Sequence, residues 1–148
     1  MKTARSAPDR PALAESALVA LMGAAGTLVR DLETACQAHG ITHDQYNVLR
    51  ILRGAQPDGH PRGEIASRLL SRAPDVTRML DRLVKRGLVA RAWHPTNRRL
   101  SMASITRPGL ALLRDVDRAI EHEHAKHSVR LSPAELVSLD RLCAKVGP

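Results

Sequence analysis

Apolar residues in most of the chain recur at spacings of three and four, the pattern of helices with one buried face. Residues 12–38 follow this pattern from Leu18 to Cys36 and predict a first helix. Residues 42–45 (THDQ) have the form of a capping box and predict the start of a second helix. A short helix at about 62–70 follows, and then a helix whose first turn holds Pro74 and which ends at Gly87.

The period of the pattern changes after Gly87. Residues 88–105 place β-branched and other apolar residues on both sides of a polar centre, HPTNRR at 94–99, which predicts a two-stranded hairpin with an exposed tip. Thr106 and Pro108 predict the start of a long helix that reaches about His127. A second capping box at 132–135 (SPAE) opens a final helix. We expect its apolar positions to point inward: Leu136, Leu139, Leu142, Cys143 and Val146.

Three consecutive helices followed by a hairpin describe a winged helix-turn-helix. We therefore expect a mainly α fold with a small β-hairpin wing, in which residues 41–106 form the winged module. Residues 12–40 and 107–148 would form a helical dimerisation region, and residues 1–11 a flexible tail. A monomer of 148 residues gives the long outer helices little to pack against. Pairing with a second copy would bury their apolar stripes, so we expect a homodimer.

Positive charge is concentrated in the predicted module. The stretch 50–107 holds 13 of the 23 basic residues against four acidic ones, whereas the rest of the chain holds 10 basic and 11 acidic residues. Such a segregated field attracts a polyanion, and the neutralisation of phosphates with release of counterions is its usual use. Solvated surfaces usually mix both signs of charge. The charge pattern therefore favours a nucleic acid as the partner.

Aromatic residues are scarce, and this narrows the class of nucleic acid. The chain has Trp93, Tyr46 and no phenylalanine, so it lacks the aromatic platforms on which single-stranded bases usually stack. Double-stranded DNA, approached through its grooves and phosphates, is the better candidate.

Several other classes of protein lack support in the sequence. We find no nucleophile motif and no phosphate-binding glycine loop, so we expect neither an enzyme nor a cofactor. No run approaches the ~18 apolar residues of a membrane span, and the N-terminus lacks the apolar run of a signal peptide. Cys36 and Cys143 form no spacing motif and indicate free thiols in a reducing cytoplasm.

The cysteines and the histidines suggest two kinds of sensor site, a redox thiol and a metal site, and each has a simpler interpretation. Cys36 is a candidate redox thiol, but a buried structural role fits it better, and Cys143 is expected to pack. One histidine cluster joins His39 and His43 to Cys36. The other holds histidines that point to different faces of one helix, so we expect no metal site: His122, His124 and His127.

The helix after Pro74 carries the candidate chemistry. Its apolar face centres on Val76, and polar side chains cover the opposite face and its margins. Arginine can bind guanine through two hydrogen bonds or can bind phosphate, and threonine can contact a thymine methyl group or a phosphate. We therefore select Thr77, Arg78 and Arg82 as candidate DNA contacts.

Four segments carry a resemblance to the MarR family of bacterial dimeric transcription factors. They are QYNVLRILRG (45–54), PDVTRMLDRLVKRGLVAR (74–91), NRRLSMASIT (97–106) and RPGLALL (107–113). The resemblance extends over roughly residues 12–147. It implies that the helix containing VTRMLDRL enters the major groove and that a wing arginine reaches the neighbouring minor groove. By this likeness the recognition end comprises Arg72, Pro74, Asp75, Thr77, Arg78 and Arg82, and the wing contributes Arg98 or Arg99.

The wing departs from the family pattern at two positions. The family usually has aspartate before its paired arginines, where this chain has Asn97, and His94 replaces an earlier acidic residue. An aspartate can hold a wing arginine by a charge-assisted hydrogen bond, which a neutral amide cannot match. Either Asp81 takes over this orienting role, or the wing is looser.

Together these observations favour a homodimeric, sequence-specific DNA-binding regulator, a repressor that responds to a small-molecule effector. A winged-helix module that binds an acidic protein is the first alternative. A non-specific architectural DNA-binding protein is the second, and the ratio of specific to random DNA affinity separates both from the favoured function.

Overall fold

The computed structural model describes residues 9–69 and 75–147. Helices dominate the described chain. Two short strands lie between the fourth and fifth helices in chain order, where the pattern predicts a hairpin. The elements in chain order are α1 (Arg10–Gln37), α2 (His43–Gly54), β1 (His60–Pro61), α3 (Arg62–Arg68), α4 (Val76–Lys85), β2 (Val89–Trp93), β3 (Ser101–Ile105), α5 (Arg107–Ser128) and α6 (Pro133–Val146).

The predicted helix starts are confirmed at three of four places. Thr42 and Ser132 each form a complete capping box, and Thr106 caps α5 by accepting a hydrogen bond from the backbone N–H of Gly109. Pro74, predicted to lie in the first turn of the next helix, is outside the described residues, and α4 begins at Val76 with Asp75 as its N-cap. The Asp75 carboxylate accepts the backbone N–H of Arg78 and so satisfies one of the donors that the first turn of a helix leaves unpaired.

The sheet has one strand more than the predicted hairpin. Its order is β1-β3-β2, and both pairings are antiparallel. The two-residue strand β1 is too short to give an alternating pattern, so the sequence did not indicate it. Gly59, with φ of +74°, permits the approach, since a Cβ there would lie 2.2 Å from the carbonyl oxygen of Ala103.

A continuous core lies beneath the sheet and between α2, α4 and α5. Gly87, with φ of +71°, turns the chain from α4 into β2, and its carbonyl accepts a hydrogen bond from the Thr106 hydroxyl. This bond fixes the start of α5 beside the end of α4. The completely buried large side chains of the core are Cys36, Val48, Leu49, Leu52, Ile65, Leu80, Leu83, Leu113 and Val116.

Polar contacts join the outer helices to this core. The Tyr46 hydroxyl donates to the Asp117 carboxylate at 2.9 Å, and the Arg53 guanidinium pairs with the same carboxylate at 2.5 Å. Burial, and secondarily the bond to Asp117, raises the pKa of Tyr46 to about 12. The hydroxyl therefore remains a donor at neutral pH, and α2 stays fixed to α5.

The end of the chain differs from the sequence-based expectation. No residue of α6 is buried within the described chain, although we expected its apolar stripe to point inward. Cys143, expected to pack, is exposed. The pattern of spacing identifies an apolar face, but it cannot say whether the same chain or another covers it. The exposed apolar residues of this end are Val129, Leu131, Leu136, Val137, Leu139, Leu142 and Val146.

Helix α1 corrects a second expectation. It is the one helix in the described part of the chain that is long and apolar enough to cross a membrane, judged by length and composition only. This helix was not expected to be so apolar because Glu15, Ser16 and Thr27 interrupt its apolar run. Large apolar side chains of α1 are exposed in the single chain: Leu13, Leu18, Val19, Met22 and Val29.

Candidate nucleic-acid interface

Helix α4 presents one buried and one polar face, as the wheel predicts. Val76, Leu80 and Leu83 are buried in the core and fix the rotation of the helix about its axis. The N-cap Asp75 accepts a hydrogen bond from the backbone N–H of Arg78 at 3.0 Å, which fixes the first turn. The side chains left outside are those of Thr77, Arg78, Asp81, Arg82 and Lys85.

The Arg78 side chain lies at the outermost part of this face. It is 80% exposed, and its Nε lies 3.2 Å from the second Asp75 carboxylate oxygen. Exposed pairs of this kind contribute little to stability, because solvent screens them and holding them costs side-chain entropy. The Arg78 guanidinium can therefore exchange Asp75 for another acceptor at small cost. Arg78 and Arg82 also line an open cleft between α4 and the start of α2.

Backbone hydrogen bonds shape the tip of the hairpin, residues 94–100, which we call the wing tip. Asn97 contributes its carbonyl to the N–H of Leu100 at 2.9 Å and its side-chain oxygen to the N–H of Arg99 at 3.1 Å. His94 closes the tip by donating its backbone N–H to the Leu100 carbonyl at 2.9 Å. The side chain of Asn97 thus holds the backbone of the turn, and Arg98 and Arg99 are exposed beyond it.

Asp81 does not take over the role of the missing wing aspartate, because it pairs with an arginine at the base of the hairpin. Its carboxylate lies 2.6 Å from the guanidinium Nη1 of Arg91 on β2 and not beside Arg98 or Arg99. Asp81 therefore orients an arginine at the base of the hairpin. The sequence reasoning missed Arg91, although its position two residues after the buried Val89 places it on the hairpin face that meets α4.

Side chains from four elements meet between α4 and the hairpin. An open cleft of about 430 Å³ is lined by Thr77, Arg91 and Arg99, together with Arg62 at the start of α3. Two of these four, Thr77 and Arg99, were selected from the sequence, and the structure brings them together. Arg72 and Pro74, also selected, lie outside the described residues.

Cys36 shows the properties of a packing residue. Its side chain is completely buried. Burial, with a smaller contribution from the charge of Glu33, raises the pKa of its thiol to about 11. The reactive thiolate is therefore scarce at neutral pH, which favours the structural interpretation over the redox one.

The described residues bring one His and two carboxylates together with metal-ligand spacing. Ligand atoms of Asp31, Glu123 and His127 lie within 4.8 Å of one another. The Lys126 ammonium already lies among them, 3.0 Å from Glu123 and 3.5 Å from Asp31, and His127 Nε2 is 2.9 Å from Asp31. We interpret the cluster as an ion-pair network that ties α1 to α5. His39 and His43 do not belong to it.

Comparison with known proteins gives one consistent result. A sequence model described as the MarR family matches residues 41–101. The HTH-type transcriptional regulator MhqR of Bacillus subtilis is 33% identical over 80 residues, a segment that covers 53% of this chain and 52% of that regulator. The chain thus spans about half the length of this curated relative.

Solved structures match over nearly the whole chain. The crystal structure of a MarR transcription factor from Planctomyces limnophilus is 35% identical, with a TM-score of 0.70, and the match covers 88% of this chain and 94% of that one. A mutant MarR from E. coli complexed with operator DNA is 26% identical, with a TM-score of 0.77, and the match covers 97% and 100% of the two chains. The mainly α winged-helix fold predicted from the sequence is confirmed.

Proposed function

The chain belongs to the MarR family, and we propose that it represses transcription as a homodimer that binds a pseudo-palindromic operator in double-stranded DNA. The observation that carries the proposal is the joint exposure of basic side chains on α4 and on the wing tip, above one fully formed core. A relative of the same fold is known in complex with operator DNA. Such a regulator acts on the chromosome, so we place it in the cytoplasm and assign it no catalytic role and no cofactor.

Each exposed residue has a proposed task. Thr77, Arg78 and Arg82 face the major groove, where arginine reads guanine and threonine contacts thymine or phosphate. Asp75 caps α4 and forms an ion pair with the Arg78 side chain in the absence of DNA. Arg98 and Arg99 reach the minor groove, whose negative potential attracts arginine, and Asn97 shapes the turn that carries them. Arg72 and Pro74 remain predictions from the sequence.

The outer helices support the dimer. Apolar side chains of α1 and α6 are exposed in the single chain, and contiguous exposed apolar surface usually marks an interface. We assign residues 12–40 and 107–148 to dimerisation, and residues 41–106 to DNA binding. The membrane-like composition of α1 fits burial against a second copy, and we propose no membrane partner. A two-fold dimer would place two copies of α4 about 34–36 Å apart, one turn of DNA.

An open cleft at the junction of these two regions supports control by a small molecule. It has a volume of about 680 Å³ and lies between α1 and α2, where Val29 supplies an apolar wall and Arg30 and His43 supply polar groups. This size suits a small ligand. Because the cleft joins an outer helix to the DNA-binding module, a ligand there could alter the separation of the two α4 helices. It would lower DNA affinity only by binding the non-binding conformation more tightly.

The function is tested first on the unmodified protein. Selection from a random-sequence duplex library should yield a pseudo-palindrome bound at least about a thousandfold more tightly than random DNA. An affinity that is similar for all duplexes would instead indicate an architectural protein. Weak binding to all DNA at physiological salt would favour an acidic protein partner.

The proposed reading of bases by Arg78 gives a sharper test. Arg78→Ala should weaken binding to the selected duplex by about 1–3 kcal/mol and relax the base preference at one position of each half-site. Gel-shift titrations against single-base variants of the duplex measure both effects. Arg10→Ala at the start of α1, outside both assigned regions, is the matched exposed control and should bind like the unmodified protein. Unchanged affinity and unchanged base preference in Arg78→Ala would remove Arg78 from the recognition set.

A further inference from the structure

Three arginines from three separate elements converge on the cleft beside Thr77, and we infer that this three-arginine cleft binds one phosphate of the DNA backbone. The arginines are Arg62 of α3, Arg91 of β2 and Arg99 of the wing tip. Arg62 and Arg91 were not among the residues selected from the sequence. The inference rests on the proposed function, because it names a further contact of the same DNA-binding surface.

The hairpin register explains how Arg91 reaches the cleft. Val89 pairs with Ile105, Arg91 with Ala103, and these residues share one face of the hairpin. Val89, Ala103 and Ile105 are buried, so this face packs on the module. Arg91 lies on the same face one step further out, where the core ends and the cleft begins. Its position is therefore fixed by the register of the sheet and not by a flexible loop.

The Asp81 carboxylate holds one end of the Arg91 side chain and leaves the rest available. Arg91 Nη1 donates to Asp81 Oδ1 at 2.6 Å, while the side chain remains 35% exposed. A guanidinium carries five N–H groups in a rigid plane, so a single carboxylate contact leaves donors for a second anion. Asp81 is a positioning residue in this arrangement, since it fixes the direction in which Arg91 presents those donors.

The charges in the cleft do not cancel. Within the described residues, Arg91 is the one member of the three with an ion pair, so three guanidinium groups and the Asp81 carboxylate leave a formal charge of +2. Like charges repel one another when they are brought together, and an anion between them relieves that repulsion. The cleft is open to solvent, which suits the tetrahedral phosphate of a polymer better than it suits an enclosed ligand.

The position of the cleft selects the backbone phosphate among other anions. In the proposed complex α4 lies in the major groove and the wing tip lies in the neighbouring minor groove. The structure that separates two neighbouring grooves is a sugar-phosphate strand, and it must pass between α4 and the wing. The three-arginine cleft lies between these two elements, with Thr77 of α4 on one wall and Arg99 of the wing tip on the other.

The test combines a protein variant with neutral substitutions in the DNA. Each phosphate of a duplex selected by the unmodified protein is replaced in turn by a methylphosphonate, which has no charge. Substitution at one phosphate position, the same in each half-site, should weaken binding of the unmodified protein by about tenfold or more. This is the range for hydrogen bonds to charged groups. Arg91→Ala should lose part of this factor, and the methylphosphonate should weaken its binding less than it weakens that of the unmodified protein, because Arg62 and Arg99 remain in the cleft. Its slope of log affinity against log salt should fall by about one per half-site.

The variants must first be shown to fold, so that a loss of affinity can be attributed to a lost contact. Arg91→Ala and Asp81→Asn are compared with the unmodified protein by thermal unfolding, and Arg10→Ala serves as the exposed-arginine control. Asp81→Asn should lower affinity several-fold and should retain sensitivity to the same methylphosphonate, because Arg91 is still present. A purely structural role for Arg91 would instead lower affinity while leaving every methylphosphonate effect unchanged, and this result would overturn the inference.

Two further outcomes separate the possible sources of failure. Inorganic phosphate that binds the free protein but not Arg91→Ala, without coupling to any methylphosphonate, would assign the cleft to a free anion and overturn the inference. If the unmodified protein selects no sequence, the proposed function fails. The slope of log affinity against log salt for Arg91→Ala on an arbitrary duplex then still decides whether Arg91 contacts a backbone phosphate, because counterion release needs no fixed binding register.

Discussion

The winged module and the outer helices bury their apolar residues in different ways. In the module Leu52, Leu83 and Ile65 are completely buried within one chain. In α6 no residue is buried, and Leu142 is 53% exposed although it belongs to an equally regular apolar stripe. Both regions have the sequence pattern of helices that pack. The module is covered within the described chain, in part by Cys36 of α1 and by Leu113 and Val116 of α5, whereas the described chain leaves the apolar face of α6 exposed.

This difference fits the separate tasks that we propose for the two regions. A complete core makes the module a rigid support, so that α4 and the wing tip hold their basic side chains at fixed positions. The incomplete outer region would gain its stability from association, and that stability would depend on protein concentration. We expect perturbations of the two regions to have different signatures, and the following predictions use that contrast.

The largest effect is expected from charges placed on the apolar face of α6. Leu139→Asp combined with Leu142→Asp would bury two carboxylates in the proposed interface, so the variant should be monomeric. Its affinity for a two-half-site operator should fall by about a hundredfold or more, because each half-site is then bound independently. Light scattering and operator titration measure the two consequences. The control is Asp140→Asn with Arg141→Gln, which keeps the apolar stripe and should remain dimeric.

Truncation of single leucines should separate the regions by concentration dependence. Leu83→Ala creates a cavity in the complete core and should lower the free energy of unfolding by about 2–5 kcal/mol. This loss in the free energy of unfolding, expressed per chain, should be the same at all protein concentrations, because Leu83 is buried within one chain. Leu142→Ala should act mainly on association, so its effect on the melting temperature should vanish in protein dilute enough to be monomeric and should grow with concentration. A concentration-independent effect of Leu142→Ala would argue against an interface at α6.

The two cysteines give the mildest probe of the same contrast. Cys36 is buried and its pKa is raised to about 11 by burial first and Glu33 second, so its thiol should resist alkylation at pH 7–8 in every folded form. Cys143 is exposed in the single chain and should be protected in the dimer but reactive in the Leu139→Asp, Leu142→Asp variant. Mass spectrometry after brief treatment with N-ethylmaleimide measures both. Rapid labelling of Cys36 in native protein would contradict its packing role and revive the redox hypothesis.

Much of the fold could be predicted because its signals are local. Capping boxes at Thr42 and Ser132 and the change of period after Gly87 depend on neighbouring residues, and the structure confirms them. Strand β1 escaped detection because two residues cannot show a period, and its pairing with β3 depends on contacts distant in sequence. The exposure of the apolar face of α6 in the single chain has a different cause, since a pattern shows an apolar face but not the partner that covers it.

The candidate interface was predictable to a smaller extent. The polar face of α4 followed from the helical wheel, and the family resemblance added the wing arginines. The pairing of Asp81 with Arg91 did not follow, because it depends on how the hairpin docks against α4. Arg62 joins the same cleft from α3, and no spacing rule connects it to Arg99. Convergence of side chains from separate elements requires the fold.

The mass of the unmodified protein, measured by light scattering with and without its selected duplex, tests the central claim most directly. The chain has a mass of 16.2 kDa, and at micromolar concentration we predict a particle of twice that mass, which binds one two-half-site duplex without dissociating. A mass near 16.2 kDa, together with full affinity for the duplex, would contradict the dimeric mechanism.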